Sequence, residues 1–148
     1  MKVWDAFNGI TKVFLDTAPV VYYVEAHPNF GEVARTAFML ISDEHIQAVS
    51  SPVTLAECVV LPIKLGQLDV QQIYKNLLTN TPGISMIDID AAIGEQAAGL
   101  RIRYGLKLPD ALQVATAISS GCDGFLTNDA ALKKVKELRV LVLLELEI

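Results

Sequence analysis

Five short apolar runs, each separated from the next by a helical stretch, constrain this chain more than any other feature. "VFL" (13 to 15), "IQAVSS" (46 to 51), "ISMIDI" (84 to 89), "DGFLTN" (123 to 128) and "RVLVLLEL" (139 to 146) read as strands. A strand with one wet face alternates apolar and polar residues, whereas a strand covered on both faces reads as a solid apolar run, which is the condition of a parallel sheet. Parallel neighbours need a right-handed crossover, usually a helix. The pattern therefore predicts an α/β fold: a single domain with a central twisted parallel sheet of four to five strands flanked by helices. With 148 residues one core suffices. Residues 1–11 read as an N-terminal lead and 12–148 as the folded domain.

Helix boundaries follow from prolines, caps and glycines. Pro19 sits in a first turn, where its missing amide costs nothing, and opens "APVVYYVE". "HPNF" (27 to 30) breaks the chain, and Val33, Ala37, Leu40 and Ile41 then recur at helical spacing up to about Asp43. Ser51 followed by Pro52 is an N-cap and first-turn pair, and Leu55, Val59 and Ile63 continue one face to Gly66. A helix from Asp69 to Thr79 ends in the turn "NTPG", and "DAAIGEQAAGLRIRY" is closed by Gly105. "LPDALQVATAISSG" carries Pro109 at its start and Gly121 at its stop, and "AALKKVKE" (130 to 137) reads as a short helix.

Composition excludes several classes. Hydrophobic residues make up 52% of the chain, too many for disorder, yet no run nears the roughly 18 to 20 apolar residues that span a bilayer. The start lacks a secretory pattern, so a cytoplasmic protein without a membrane partner is expected. Cys58 and Cys122 are too far apart in sequence for a zinc motif and fit buried small side chains. His27 and His45 flank helices as surface or capping residues, which argues against a histidine metal site. A net charge of −5 argues against a nonspecific duplex-binding surface, although basic residues gather in "RIRYGLK" (101 to 107) and "KKVKELR" (133 to 139).

Four acids stand where such a fold collects ligands, beyond the carboxyl ends of its strands. Asp16 ends the first strand, Asp129 follows the fourth, Asp110 lies in the first turn of the Pro109 helix, and Glu57 lies about two turns into the helix opened by Ser51. Taken singly, the aspartates are ordinary helix caps. Glu57, set in the apolar context "VTLAECVVL", is expected to be buried and to need a partner. A carboxylate cluster repels itself unless a cation intervenes, and an all-oxygen donor set suits Mg²⁺ or Mn²⁺.

The segments "VFLDTAPVVYYVE", "TLAEC" and "LPDALQVATAISSGCDGFLTND", with their ordered acids, resemble the PIN-domain ribonucleases, and within them the VapC-type toxins of toxin-antitoxin pairs. The resemblance covers nearly the whole chain. It implies that Asp16, Glu57, Asp110 and Asp129 are catalytic, with Asp16, Asp110 and Asp129 holding Mg²⁺ or Mn²⁺ and Glu57 orienting the attacking water or a second metal. Thr17, Thr127 and Asn128 are then supporting residues. Arg101, Arg103, Lys107 and Lys133 are the candidate RNA phosphate contacts. The same resemblance implies an RNA substrate that is single-stranded or looped, a 5′-phosphate and a 3′-hydroxyl product, a cognate VapB-like antitoxin and a homodimer. Ala18 stands where relatives often carry a small polar residue, and Lys107 where a hydroxyl often caps the helix. A noncatalytic PIN-like RNA-binding or assembly module is the alternative. A receiver-like domain fits less well, because no lysine ends the last strand, and a D-x-D phosphatase fails at Ala18.

Overall fold

The computed structural model describes residues 1–43 and 46–148; His45, one of the two histidines expected at the surface or in a cap, lies outside them. Five parallel strands form one sheet in the order β3-β2-β1-β4-β5, from β1 (Lys12–Leu15), β2 (Gln47–Ser50), β3 (Ile84–Met86), β4 (Gly124–Thr127) and β5 (Arg139–Val142). The chain lays down β1, β2 and β3 in one direction, then crosses back to place β4 on the other side of β1. The strand order thus switches direction between β1 and β4, and a crevice opens at the carboxyl ends of those two strands.

Burial on both faces explains the solid runs. Val13 and Leu15 of β1 point into one core and Phe14 into the other, where its ring stacks on Phe125 at 5.1 Å. The first face is covered by α1 (Val3–Ala6), α2 (Thr17–Val24), α3 (Gly31–Ser42), α4 (Pro52–Lys64) and α5 (Leu68–Asn80), and the second by α6 (Ala91–Tyr104) and α7 (Leu108–Ser119). Cys58 and Cys122 are free and buried, and burial pushes their thiols up to about 12 and about 11 respectively. His27 does not cap α3 but lies in the turn before it, where its Nδ1 accepts the backbone N–H groups of Asn29 and Phe30. Gly105, at φ 66°, takes the left-handed conformation that ends α6 and turns the chain into α7.

Three expectations change. The lead contains α1, whose Val3 and Ala6 are buried together with Phe7, while Trp4 stays exposed. Its end is held by Arg139, whose guanidinium donates to the carbonyls of Ala6 and Asn8. "AALKKVKE" forms only a 3-10 turn, Ala130–Lys134, because Val135 and Leu138 are drawn into the second core and pull the backbone out of the helix. The last strand stops at Val142 instead of running to Leu146. There the Leu144 amide donates to the side chain of Asn128 at 2.8 Å, and residues 143–145 form a 3-10 turn.

Candidate active site at the carboxyl edge of the sheet

Asp16 leaves β1 as the N-cap of α2. One carboxylate oxygen accepts the Thr17 amide at 2.8 Å and the other accepts the Thr127 hydroxyl at 2.7 Å. Thr127 is fully buried at the end of β4, and the same hydroxyl accepts the Asp129 amide at 3.1 Å. One threonine therefore ties the strand-one acid to the loop that carries Asp129. Asp129 caps the following turn through the Ala131 amide at 2.9 Å and is exposed.

Glu57 departs from expectation. Its side chain is exposed, not buried, because it lies on the solvent side of α4 while Cys58 faces the core. The apolar letters around it belong to other faces of the same helix, and a run in sequence is not a shell in space. It does have a partner: the Thr17 hydroxyl donates to its carboxylate at 2.7 Å. Asp110 is half-buried in the first turn of α7 and accepts no hydrogen bond among the described residues. Lys107 occupies the N-cap of α7 without capping it.

The four acids share one electrostatic neighbourhood. Burial raises the Asp16 carboxyl above its ordinary value despite the hydrogen bonds from Thr127 and Thr17, and the charges of Asp110 and Glu57 add to the rise. Burial also raises Asp110, reinforced by Asp129 and Glu57 and eased by Lys107. The sheet thus brings Asp16, Glu57, Asp110 and Asp129 together from four different elements. Among the described residues no three acidic, histidine or cysteine side chains form a ready-made metal cage. That is compatible with magnesium, which commonly takes one or two carboxylates and completes its shell with water and substrate phosphate. Hard oxygen donors that repel one another without a countercharge fit Mg²⁺ or Mn²⁺ and no soft metal.

The other expected residues divide. Asn128 holds the C-terminal segment through the Leu144 amide and donates to the Tyr22 hydroxyl at 3.3 Å. Arg103 is paired with Glu137 at 3.1 Å and Lys133 with Glu145 at 2.5 Å, neither with any of the four acids. Arg101 donates to the Leu106 carbonyl at 2.8 Å. Lys107 lies close enough to Asp110 to lower its carboxyl. A concavity of about 350 Å³ between α1 and β5, bordered by Asp5, Lys133, Arg139 and Glu145, is lined by none of the four acids. An extended polymer can lie across an open crevice and needs no enclosed cavity, so the acids mark the site better than this hollow does.

Sequence reading missed a buried polar group near the acids, formed by Ser51, Thr54 and Gln113. A glutamine in the otherwise apolar body of α7 was the available signal.

The family model described as the PIN domain matches residues 13–138, and the chain belongs to the PIN domain family. Solved structures share the fold. The VapBC2 complex of Rickettsia felis bound to a promoter DNA fragment aligns with a TM-score of 0.71 at 19% identity over 89% of this chain and 98% of that one. A toxin-antitoxin complex from Klebsiella pneumoniae gives 0.67 at 23% identity over 88% and 97%. VapC20 of Mycobacterium tuberculosis, a toxin that cleaves the sarcin-ricin loop, gives 0.63 at 16% identity over 76% and 86%. No curated protein sequence matches the chain.

Proposed function

We infer that this chain is a metal-dependent endoribonuclease acting as the VapC-type toxin of a toxin-antitoxin pair. The observation that supports the reading is that four carboxylates, from the end of β1, α4, α7 and the loop after β4, lie within electrostatic reach of one another near the point where the strand order reverses. Caps bond Asp16 and Asp129 locally, but no ion pair among the described residues offsets the mutual repulsion of the group. The two ion pairs found among them involve none of the four acids.

Bound Mg²⁺ or Mn²⁺ would polarise the scissile phosphate and lower the pKa of an attacking water. Asp16 and Asp110 are the metal-holding residues, with Asp129 joining directly or through water. Thr127 fixes the rotamer of Asp16, leaving that carboxylate one preferred orientation. Thr17 holds Glu57 in hydrogen-bond range, so Glu57 can accept a proton from water without swinging to solvent. Lys107 stands beside Asp110 as the best placed of the four basic candidates for a substrate phosphate, with Arg101 on the same stretch of surface. Single-stranded or looped RNA suits the crevice, because its backbone can bend toward the acids. The M. tuberculosis neighbour, which cleaves a loop, supports that choice.

A VapB-like antitoxin and a second copy of the chain are the proposed partners. The exposed apolar residues Val60, Leu61, Ile63, Leu65 and Leu68 on α4 and at the start of α5 support a protein partner. Among the described residues no helix is long and apolar enough to cross a membrane.

The test is cleavage of a structured RNA by the purified chain with Mn²⁺ or Mg²⁺, with and without EDTA. Metal-dependent products ending in a 5′-phosphate are expected, and Asp16→Asn should abolish them. If the wild type and Asp16→Asn bind RNA equally and neither cuts it, the chain is a noncatalytic PIN-like module.

A further inference from the structure

Gln113 is 1% exposed in the interior of α7, where an amide is costly unless both its ends are bonded. Both ends are. Its carbonyl accepts the Ser51 hydroxyl and its NH₂ donates to the Thr54 hydroxyl, and both of those residues are 0% exposed. The Thr54 hydroxyl in turn donates to the Leu15 carbonyl at 3.1 Å, while the Ser51 oxygen accepts the Val53 amide at 3.1 Å as the cap of α4.

These positions neighbour the acids along the chain. Gln113 lies three residues after Asp110 on α7, Thr54 lies three residues before Glu57 on α4, and Leu15 immediately precedes Asp16 on β1. Residues three apart on a helix share a face. A bonded chain of Leu15 carbonyl, Thr54 and Gln113 therefore runs within one residue or one helical turn of Asp16, Glu57 and Asp110.

Packing alone does not set that spacing. Cys58 of α4 belongs to the core on one side of the sheet, and Ala111, Val114 and Ala115 of α7 belong to the core on the other. Apolar burial is nondirectional and tolerates sliding between the two helices, whereas a bonded chain across the end of the sheet fixes one arrangement. We propose that Gln113 is a positioning residue, which through Ser51 and Thr54 locks α7 to α4 and β1 and so sets the spacing of Asp110 from Glu57 and Asp16. The catalytic consequence rests on the ribonuclease reading.

The test uses Gln113→Met, which keeps side-chain length but makes no such bonds, and Thr54→Val, which breaks the same link from the other helix. Val114→Ala serves as a destabilised control on α7. Mn²⁺ affinity is read by calorimetry, RNA cleavage as kcat and KM, and folding as Tm. Each link variant should weaken Mn²⁺ binding roughly 10- to 100-fold, in line with losses of residues that orient metal ligands. Each should lower kcat at saturating Mn²⁺ while KM for RNA stays within about twofold, and the double variant should be no worse than the poorer single one, as expected for one shared interaction. Affinity and kcat at wild-type levels in both link variants would overturn the proposal. So would an equal loss of Mn²⁺ affinity in Val114→Ala at matched Tm. Wild-type protein that binds no Mn²⁺ overturns the nuclease reading itself, and the catalytic role of Gln113 with it; wild type that binds, with variants that match it, overturns the link alone.

Discussion

The two ends of the central strands β1 and β4 treat the same residue type in opposite ways. At the amino end, Asp123 accepts the backbone amides of Thr11 and Lys12, both at 2.9 Å, and the Thr11 hydroxyl at 3.1 Å. Burial there works to raise the Asp123 carboxyl, but the donors from Lys12 and Thr11 outweigh it and hold the group below its ordinary value. At the carboxyl end, burial and neighbouring acids hold Asp16 and Asp110 above theirs. The first carboxylate staples the start of two strands together. The second group receives too few donors and too little positive charge to offset its burial and mutual repulsion, at a cost in stability that a bound metal would relieve. The contrast lies in what surrounds the acid: the aspartate supplied with enough N–H and O–H donors stabilises the fold, and the crowded ones are available for chemistry.

The sharpest way to break this comparison is to remove charge at the carboxyl end. Asp16→Asn and Asp110→Asn should each reduce metal-dependent RNA cleavage by more than about 100-fold, beyond the usual loss from a residue that only orients a ligand. The same variants should be at least as stable as the wild type at pH 7 without metal. Asp16 and Asp110 hold their protons more tightly folded than unfolded. In the wild type their contribution is therefore most favourable below the ordinary carboxylate value and declines as pH rises through the raised folded values. Urea denaturation at stepped pH should show that decline flattened in either asparagine variant, and a variant with an unchanged slope would remove the electrostatic half of the argument.

Metal should act on one end only. With Mn²⁺ at about 100 times its dissociation constant the wild type should gain about 2.7 kcal/mol, seen as a rise in Tm that Asp110→Asn largely loses and Asp123→Ala keeps. At the other end, Asp123→Ala should cost about 1 to 2 kcal/mol at pH 7 through lost bonds to a charged but partly exposed group. It should leave cleavage within twofold. Because Asp123 is held low, its stabilisation is present above the ordinary value of 3.8 and disappears as pH falls through the folded value. Wild type and Asp123→Ala should therefore converge in denaturation experiments in strong acid. The smallest effect is expected from Lys107→Ala, which should lower the salt dependence of single-stranded RNA binding by about 0.7 in slope and leave Tm unchanged.

Much of this was legible residue by residue. Pro19, Pro52 and Pro109 mark helix starts because a first-turn amide needs no partner, and Asp16, Asp110 and Asp129 stand at strand ends or in first turns because those positions are local. The position of Glu57 is legible in the sequence, but its exposure is not. "VTLAECVVL" wraps around a helix, and only the packing of α4 shows that Cys58 takes the core side and Glu57 the crevice. Helix α1 escaped notice because four residues show no helical period; its burial depends on α3 and on Arg139, more than a hundred residues away. The early end of β5 likewise depends on the distant side chain of Asn128 competing for the Leu144 amide.

By itself, the amino-acid order determined the alternation of two-sided apolar strands and capped helices, and the placing of four acids at their ends, since periodicity and caps act within a few residues. The order β3-β2-β1-β4-β5, the threonine that joins Asp16 to the Asp129 loop, and the Gln113 bridge between α7 and α4 were decided only by the folded chain. Those are contacts between segments roughly 15 to 110 residues apart, and their bond geometry exists only once loop-closure entropy has been overcome by the packing of the whole domain.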